Sequence, residues 1–130
     1  MVLRHLIPPG IHPPFAKYSH AVEVQAGARL LFCSGQLGIS SDEQIPESAE
    51  AQAELCFEAI GQCLAAADMN FADLVRLNAY VTDRAHMAPY MQVRDRYVAS
   101  PPPASTLVIV RGFSRQEFKV EVEALAAKDT

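Results

Sequence analysis

Two glutamates near the end of the chain, Glu121 and Glu123, have the residue type and spacing for acid–base chemistry. They alternate with apolar residues in the run Phe118–Ala126, a pattern typical of a β-strand with one apolar face. Both carboxyl groups should therefore share the other face, roughly 7 Å apart at the backbone. Such a carboxylate becomes a general base near neutral pH when burial raises its pKa. The same alternation also describes an ordinary solvent-facing strand, which is the commoner case.

The tripeptide Ser34-Gly35-Gln36, at the end of another apolar strand, is a candidate polar contact site. Glycine lets another group approach the backbone closely, and exposed amides at such a point can receive a carboxylate or carbonyl oxygen. A turn that requires glycine for its own conformation explains the same residues. The sequence alone leaves both explanations open.

Other chemistries find little support in the sequence. No phosphate-binding loop, dinucleotide-binding glycine pattern, zinc-protease motif or serine-hydrolase motif occurs, so no cofactor is predicted. The four histidines lack metal-ligand spacing, and no metal site is predicted. Cys33 lies within an apolar strand and is predicted to be a buried, inert thiol. Cys56 and Cys63 are separated by about 10 Å along a predicted helix, which is too far for a disulfide.

The composition restricts partners and location. The formal net charge is −4 and the 11 lysines and arginines are scattered, which disfavours nucleic acid as a partner. No signal sequence and no apolar segment of about 20 residues occurs. We therefore expect a reduced, cytoplasmic protein that does not bind membranes. With 130 residues, the chain is predicted to form one domain.

The elements that must position these residues follow in the order β-β-α-β-α-β-β, after a proline-rich N-terminal arm at residues 1–17. Helical spacing of apolar residues predicts a first helix from the N-cap Ser48 to about Met69, and a second helix over Met87–Tyr97. A strand is predicted between them, over Asp73–Thr82. This order is typical of an α+β fold with both helices on one face of a mixed sheet.

Two hairpins are predicted from short turns between β-rich segments. The first joins Ser19–Val24 to Arg29–Ser34 across Gly27, and the second joins Leu107–Val110 to Phe118–Ala126. Leu107–Val110 is apolar without alternation, so its strand should be buried on both faces. Because two helices can cover only one face of the sheet, we predict a homo-oligomer that covers the other.

In combination and in this order, these features resemble the RidA family, also called YjgF or UK114, over almost the whole chain from Pro14 to Ala126. Five segments are similar to the family: Pro14–Val22, Phe32–Gln36, Val75–Asp83, Pro103–Thr106 and Val120–Ala124. The resemblance implies a chorismate-mutase-like fold in which three copies, a homotrimer, join their sheets into a barrel. It also implies clefts between the subunits in which small metabolites bind.

The resemblance further implies a chemistry. Catalytic members add water to reactive 2-imino or enamine acids and release ammonia and a 2-oxo acid. Tyr18, Ser34 and Gly35 match cleft residues of the family, and Glu121 matches the carboxylate that positions the attacking water.

One position departs from the pattern of the deaminating members. These have an arginine after the Pro-Ala pair, where it binds the substrate carboxylate bidentately, and here that residue is Ser105. The cysteine common two residues later is Leu107, and an asparagine of the second helix corresponds to Met91. Arg111 shares strand parity with Ser105 but lies about 20 Å further along a strand. It therefore does not replace the missing arginine within one chain.

Two functions stay open at this point. The first is a deaminase-like enzyme with weak or altered activity, in which Glu121 orients water and Ser34, Gly35 and Ser105 contact the substrate. The second is a non-catalytic, metabolite-binding or regulatory protein of the same fold. Retained Tyr18 and Glu121 favour the enzyme, whereas Ser105 favours the binding protein. Ribonuclease or translation-inhibitor activity, attributed to some relatives, is disfavoured by the acidic composition.

Overall fold

The α+β order predicted from the sequence is present in the computed structural model, which describes residues 2–130. The elements are β1 (Leu3–Leu6), β2 (Ala21–Val24), β3 (Arg29–Leu37), α1 (Ala49–Ala66), β4 (Leu74–Val81), α2 (Met87–Tyr97), β5 (Ala104–Ile109) and β6 (Val120–Lys128). Short 3-10 helices at Phe71–Asp73 and Arg84–His86 precede β4 and α2. Both predicted helices and the strand between them are therefore confirmed within a few residues.

The main sheet has four strands in the order β3-β6-β4-β5. β6 is antiparallel to both of its neighbours, whereas β5 is parallel to β4. A parallel pair needs a long crossover connection, and α2 provides it. β1 and β2 form a separate antiparallel pair. The sheet is mixed, as predicted, and the fold class is confirmed.

The two helices pack on one face of this sheet. Ser48 begins α1 by accepting a hydrogen bond from the Ala51 amide at 3.1 Å. The buried residues of α1 recur at helical spacing: Ala53, Phe57, Ile60 and Leu64. They form one core with Tyr90 and Val93 of α2 and the inward-facing residues of β4 and β6. Neither helix combines the length and apolar character needed to cross a membrane, nor does any other helix within residues 2–130.

A buried glutamine ties α1 to the loops at one end of the sheet. The Gln52 amide nitrogen donates to the carbonyls of Pro46 at 2.9 Å and Glu117 at 2.8 Å, and its oxygen accepts from the Lys119 amide at 2.8 Å. The side chain is fully buried, and these bonds satisfy its polar atoms as burial requires. Gly38 lies directly against it, since a Cβ on Gly38 would fall 2.7 Å from the Gln52 Cα. The end of β3 can approach α1 this closely only because residue 38 is a glycine.

The predicted closing hairpin is wrong. β5 and β6 do not pair with each other, because β4 lies between them. Leu77 of β4 has Ser105 as its partner on one side and Ala124 on the other. The polar segment between β5 and β6 therefore crosses the end of β4 instead of forming a tight turn. A turn signal in a sequence shows that the chain reverses, but it does not show how many strands the chain crosses.

The predicted first hairpin is wrong as well. β2 pairs with β1, with Leu3 opposite Val24, whereas β3 pairs with β6. Gly27, with a φ of 87°, turns the chain between two different sheets. The reason lies in the N-terminal arm, which was expected to be extended chain but contributes a strand of its own at Leu3–Leu6. That strand pairs with β2 over the whole of β2, with Leu3–Leu6 opposite Ala21–Val24.

The other face of the four-stranded sheet is open in the single chain. Phe32 of β3 is 75% exposed and Leu30 is 54% exposed. On β5, Val108 and Ile109 are 40% and 43% exposed, so the prediction that Leu107–Val110 is buried on both faces is wrong for one chain. The cause is that β5 is an edge strand flanked only by β4. The homo-oligomer that would cover this face stays a prediction.

Candidate functional site

The carboxyl group of Glu121 packs against the backbone of Gly35. A Cβ on Gly35 would lie 2.7 Å from both Cδ and Oε2 of Glu121, closer than real Cβ atoms approach. Gly27 is the glycine with positive φ among residues 2–130, so Gly35 is not needed for a left-handed turn. Of the two explanations for this glycine, close approach of another group is therefore the one that the structure supports.

A β-bulge opens β3 at this point. The pairing of β3 with β6 runs to Cys33 opposite Ala124 and resumes at Gln36 opposite Val122, so Ser34 and Gly35 have no paired residue on β6. The Gln36 side-chain amide donates to the Ser34 carbonyl at 3.0 Å, and the Ser34 side chain is exposed. Bulges redirect a strand locally, and this one brings the Ser34-Gly35 backbone to the Glu121 carboxyl.

The charge on Glu121 is disfavoured by its surroundings. Burial raises the pKa of the Glu121 carboxyl above its ordinary value, and the neighbouring negative charge of Glu123 raises it further. Glu123 itself accepts hydrogen bonds from the Tyr80 hydroxyl at 2.6 Å and from the Asn78 amide at 3.1 Å. The two glutamates thus share one face, as predicted, but only Glu123 is held by side-chain donors from β4. A carboxyl with a raised pKa is closer to the proton affinity that a general base needs near neutral pH.

Tyr80 was missed by the sequence analysis. Its Cα is the partner of Glu121 in the β4–β6 pairing, and its hydroxyl bonds to Glu123, which raises the pKa of Tyr80. The alternation of β4 places Tyr80 on the face opposite the buried Val81, and this alternation can be read from the sequence. What the sequence did not contain was the register that brings Tyr80 beside the two glutamates.

Tyr18 and Ser105 form a second group at the start of β5. Ser19 donates from its amide to the Pro103 carbonyl at 2.9 Å and from its hydroxyl to the Pro102 carbonyl at 2.6 Å. It also forms a parallel bridge with Ala104, and this register sets Tyr18 beside Pro103, two residues before Ser105, along the outer edge of the sheet. The Tyr18 hydroxyl accepts a hydrogen bond from the Phe15 amide at 3.1 Å.

Lys17 fixes this second group to the helix layer. Its ammonium donates to the carbonyls of Asp95 and Val98, each at 3.3 Å, at the C-terminal end of α2. A cation at this end of a helix is favoured by the helix dipole. The arm that carries Tyr18 is therefore tied to both α2 and β5.

The single chain does not bring the two groups together. Glu121 pairs with Tyr80, which pairs in turn with Val108, and Ser105 lies three residues before Val108 on β5. Two strand spacings and three residues correspond to roughly 14 Å between the Cα atoms of Glu121 and Ser105. The side chains also differ in direction, because Ser105 pairs with the buried Leu77 of the helix-covered face and Glu121 lies on the open face.

Arg76 is the cation on the strand beside Ser105, but its guanidinium donates to the Thr106 hydroxyl at 2.7 Å on the open face, whereas Ser105 shares the face of the buried Leu77. It therefore does not take the place of an arginine at residue 105 within one chain. Leu107 and Met91 are partly buried and pack against the main core. Arg111 lies beyond the end of β5 and is exposed. This position agrees with the prediction that Arg111 is too far from Ser105 to replace the missing arginine. Ser105 itself is half-buried.

The three cysteines are free thiols. Cys33 is buried, as predicted, and burial together with the proximity of Cys63 raises its pKa to about 11. Burial raises the pKa of Cys56 to about 12, with a smaller contribution from the charge of Glu121. Thiols with such pKa values are weak nucleophiles near neutral pH. Within residues 2–130, no group of three or more His, Cys, Asp or Glu side chains is arranged to hold a metal ion.

Comparison with known proteins places the chain in a family. A family model described as endoribonuclease L-PSP matches residues 11–128. The chain belongs to the RidA/YjgF family. Relatives in that family include protein DfrA of Myxococcus xanthus, 36% identical over 111 residues that cover 84% of this chain and 83% of DfrA.

Two further RidA/YjgF relatives bear on function and fold. The 2-iminobutanoate/2-iminopropanoate deaminase of the mouse is 27% identical over 113 residues, which cover 85% of this chain and 81% of the mouse protein. The crystal structure of YyfB from Yersinia pestis, a Rid-family protein of unknown function, superimposes with a TM-score of 0.87 at 29% identity. That match covers 98% of this chain and 100% of the Yersinia chain. The family thus includes deaminases, and the fold extends over essentially the whole chain.

Proposed function

We propose that this protein is a RidA-type, deaminase-like enzyme that binds small imine, enamine or carbonyl metabolites and hydrolyses the C=N bond of imines. The observation that supports this most directly is the Glu121 carboxyl packed against the bulged Ser34-Gly35 backbone, with its pKa raised by burial. A base beside exposed backbone amides has the two components that hydrolysis of an imino acid requires. The named activity of the mouse relative supports the same reaction class.

The proposed reaction uses Glu121 as general base. It removes a proton from a water molecule while the water oxygen bonds to the imine carbon. Glu121 then returns this proton to the nitrogen, and the new hydroxyl group loses the second water proton as the C–N bond breaks. Ammonia leaves, and the C=O group of the product forms. Ser34 and Gly35 contact the substrate oxygen atoms, and Tyr18 and Ser105 are its other polar contacts. No redox change occurs, and no metal or cofactor is required by this chemistry.

We expect the complete site to form between subunits of a homotrimer. Gly35 and Ser105 lie on β3 and β5, the two opposite edges of the four-stranded sheet. A head-to-tail ring of copies would bring the Tyr18–Ser105 group of one copy against the Gly35–Glu121 group of the next, because heterologous contacts that close form rings. The exposed Leu30, Phe32 and Val108 on the open face supply apolar area for such contacts. We also propose that the protein is located in the cytoplasm.

Ser105 makes activity on 2-imino acids weak. A hydroxyl gives one hydrogen bond where an arginine gives two and a positive charge. Loss of that contact should cost about 2–5 kcal/mol where the partner charge is desolvated. A substrate without a carboxylate would not incur this loss. The second candidate function, a non-catalytic metabolite-binding protein, is favoured by the same residue.

The discriminating experiment compares the natural protein with Glu121→Gln in two assays. Ammonia release is measured from enzymatically generated 2-iminobutanoate, and binding is measured with 2-oxobutanoate. We expect slow ammonia release that is lost in Glu121→Gln while the oligomer is retained. Glu117→Gln, which removes an exposed carboxyl of the same type, is the matched control. Ligand binding without turnover in any variant would establish the binding protein instead.

A further inference from the structure

Strand β3 and helix α1 are neighbours that run in opposite directions. At the start of β3, the Arg29 guanidinium donates to the carbonyl of Ala67, the C-cap of α1, at 3.1 Å. Directly after the end of β3, Gly38 packs against Gln52 near the start of α1. These two contacts fix which residues of the strand and the helix lie opposite each other.

This alignment places Cys33 opposite Cys63. Cys33 precedes Gly38 by five residues of extended chain, which is about 16 Å, and Cys63 follows Gln52 by eleven residues of helix, which is also about 16 Å. Cys33 is buried and pairs with the buried Ala124, so its side chain lies on the helix-covered face of the sheet. Cys63 is half-buried and packs against the same core.

The two thiols interact directly, whereas the third is separate. Burial is the main cause of the raised pKa of Cys33, and the charge and hydrogen bonding of Cys63 raise this pKa further. The Cys56 thiol instead donates to the Val120 carbonyl at 3.8 Å. It lies about 10 Å before Cys63 along α1. The chain therefore contains one pair of neighbouring thiols and one thiol outside the pair.

Cys63 is the member of the pair that a small reagent can reach. It lines a cavity of about 430 Å³ on the flank of α1, together with the exposed Ser41, Glu58 and Gln62. This cavity is on the helix side of the sheet and not on the open face that the proposed homotrimer covers. Reaction at Cys63 therefore does not require the subunits to separate.

We propose that Cys33 and Cys63 are a redox-sensitive pair, which hydrogen peroxide converts into an intramolecular disulfide between β3 and α1. In the first step the Cys63 sulfur attacks a peroxide oxygen and the O–O bond breaks. Cys63 becomes a sulfenic acid, and the leaving hydroxide takes the thiol proton and departs as water. In the second step the Cys33 sulfur attacks the Cys63 sulfur, the S–O bond breaks, and the leaving hydroxide takes the Cys33 proton. Two thiols are oxidised, and one peroxide is reduced to two water molecules.

The position of Cys33 offsets its low reactivity. A thiol with a pKa of about 11 is a weak nucleophile toward reagents in solution. The Cys63 sulfur is held beside it, however, and a neighbouring group reacts at an effective concentration far above that of a free reagent. In a cytoplasmic protein such a disulfide is transient, because cellular thiols reduce it again. The pair is independent of the proposed deaminase reaction, since neither thiol takes part in it.

The bond would also tie the candidate site to the helix layer. Cys33 immediately precedes the Ser34-Gly35 bulge, and it is the last residue of β3 that pairs with β6 before the bulge. A disulfide to Cys63 therefore joins the start of the bulge to α1. Oxidation would thus restrain β3 at the point where the strand is locally opened.

Thiol titration under denaturing conditions tests the proposal. The reduced natural protein has three free thiols, and a small excess of hydrogen peroxide should leave one, with both lost thiols restored by dithiothreitol. Peptide mapping should find residues 33 and 63 joined within one chain. Cys63→Ser should keep both of its remaining thiols, whereas Cys56→Ser, the matched control, should lose both. Three unreacted thiols, a disulfide that includes Cys56, a disulfide between chains, or a loss that dithiothreitol does not reverse would overturn the proposal.

Thermal denaturation tests whether the bond fits the fold. The disulfide closes a loop of about 30 residues, and such a link should raise the midpoint of unfolding by about 5 °C or more. The midpoint is compared between the reduced and the oxidised natural protein. Cys63→Ser should have the same midpoint before and after peroxide treatment. An equal or lower midpoint in the disulfide form would show that the bond distorts β3 against α1, and it would overturn the inference that the two thiols are already in position.

Discussion

The carboxyl group of Glu121 lies so close to Gly35 that a single additional carbon on the glycine would overlap it, at 2.7 Å from Oε2. The contact joins β6 to the bulge of β3, which are neighbours in the sheet but about 90 residues apart in the chain. It explains the glycine by the space that the carboxyl requires. It also restricts where the carboxyl can lie, and a fixed position is what a general base requires.

The first prediction concerns Gly35→Ala. The added Cβ meets only the end of a flexible side chain, so the free energy of unfolding should change by less than about 1 kcal/mol. The Glu121 carboxyl must move, and a displacement of this order can lower activity about 100-fold. Gly112→Ala is the control, because no atom lies within 4 Å of a Cβ there. Urea denaturation and ammonia release from 2-iminobutanoate are measured, and unchanged activity in Gly35→Ala would contradict the role of the contact.

The second prediction concerns stability as a function of pH. The pKa of Glu121 is raised in the folded protein, so protonation favours folding. Its contribution to stability is fully present below the ordinary pKa of 4.5 and is lost as the pH rises through the folded-state pKa. The stability of the natural protein relative to Glu121→Gln should therefore fall over that range. Urea denaturation at a series of pH values measures this difference, and a difference that rises with pH would show that the pKa is lowered instead.

The third prediction concerns Gly38→Ala. Here the new Cβ meets the backbone and Cβ of Gln52, which cannot move without shifting α1. We expect the free energy of unfolding to fall by about 1–3 kcal/mol, the usual cost of overpacking. Thermal or urea denaturation beside Gly112→Ala is the measurement. A cost as small as that of the control would mean that α1 and β3 are not rigidly packed.

The fourth prediction concerns Ser105→Arg. It restores a guanidinium after the Pro-Ala pair, and ammonia release from 2-iminobutanoate should rise by about 10-fold or more if a desolvated charge pair forms. The exposed Ser114→Arg adds the same charge in a loop and should have no effect. An unchanged rate in Ser105→Arg, with the fold retained, would show that the position does not contact the substrate carboxylate.

The fifth prediction concerns Phe32→Asp. The ring is 75% exposed on the open face of the sheet, where the proposed trimer buries it. A charge buried there without a partner is costly, so the variant should dissociate into monomers. Light scattering after size-exclusion chromatography measures the mass, and Ser41→Asp, in an exposed loop, controls for added charge. A natural protein that is already monomeric would refute the assembly.

The sequence by itself determined the features that depend on neighbouring residues. Ser48 and the helical spacing after it define α1, and the position of Pro89 is compatible with α2 because it lies in the first turn. The alternation in β6 places Glu121 and Glu123 on one face. The five segments from Pro14–Val22 to Val120–Ala124, in combination and in order, predicted the family, which the comparisons confirm.

The tertiary structure decided which strands are neighbours. Both predicted hairpins failed because a reversal of the chain does not specify its partner: β1 takes the edge of β2, and β4 separates β5 from β6. The same topology brings Gly35 to Glu121 and leaves Ser105 at the opposite edge. Strand pairing depends on contacts between residues far apart in the chain, and the free energy of those contacts is absent from any local pattern. The chemistry of each residue was therefore readable from the sequence, whereas the grouping of the residues into sites was not.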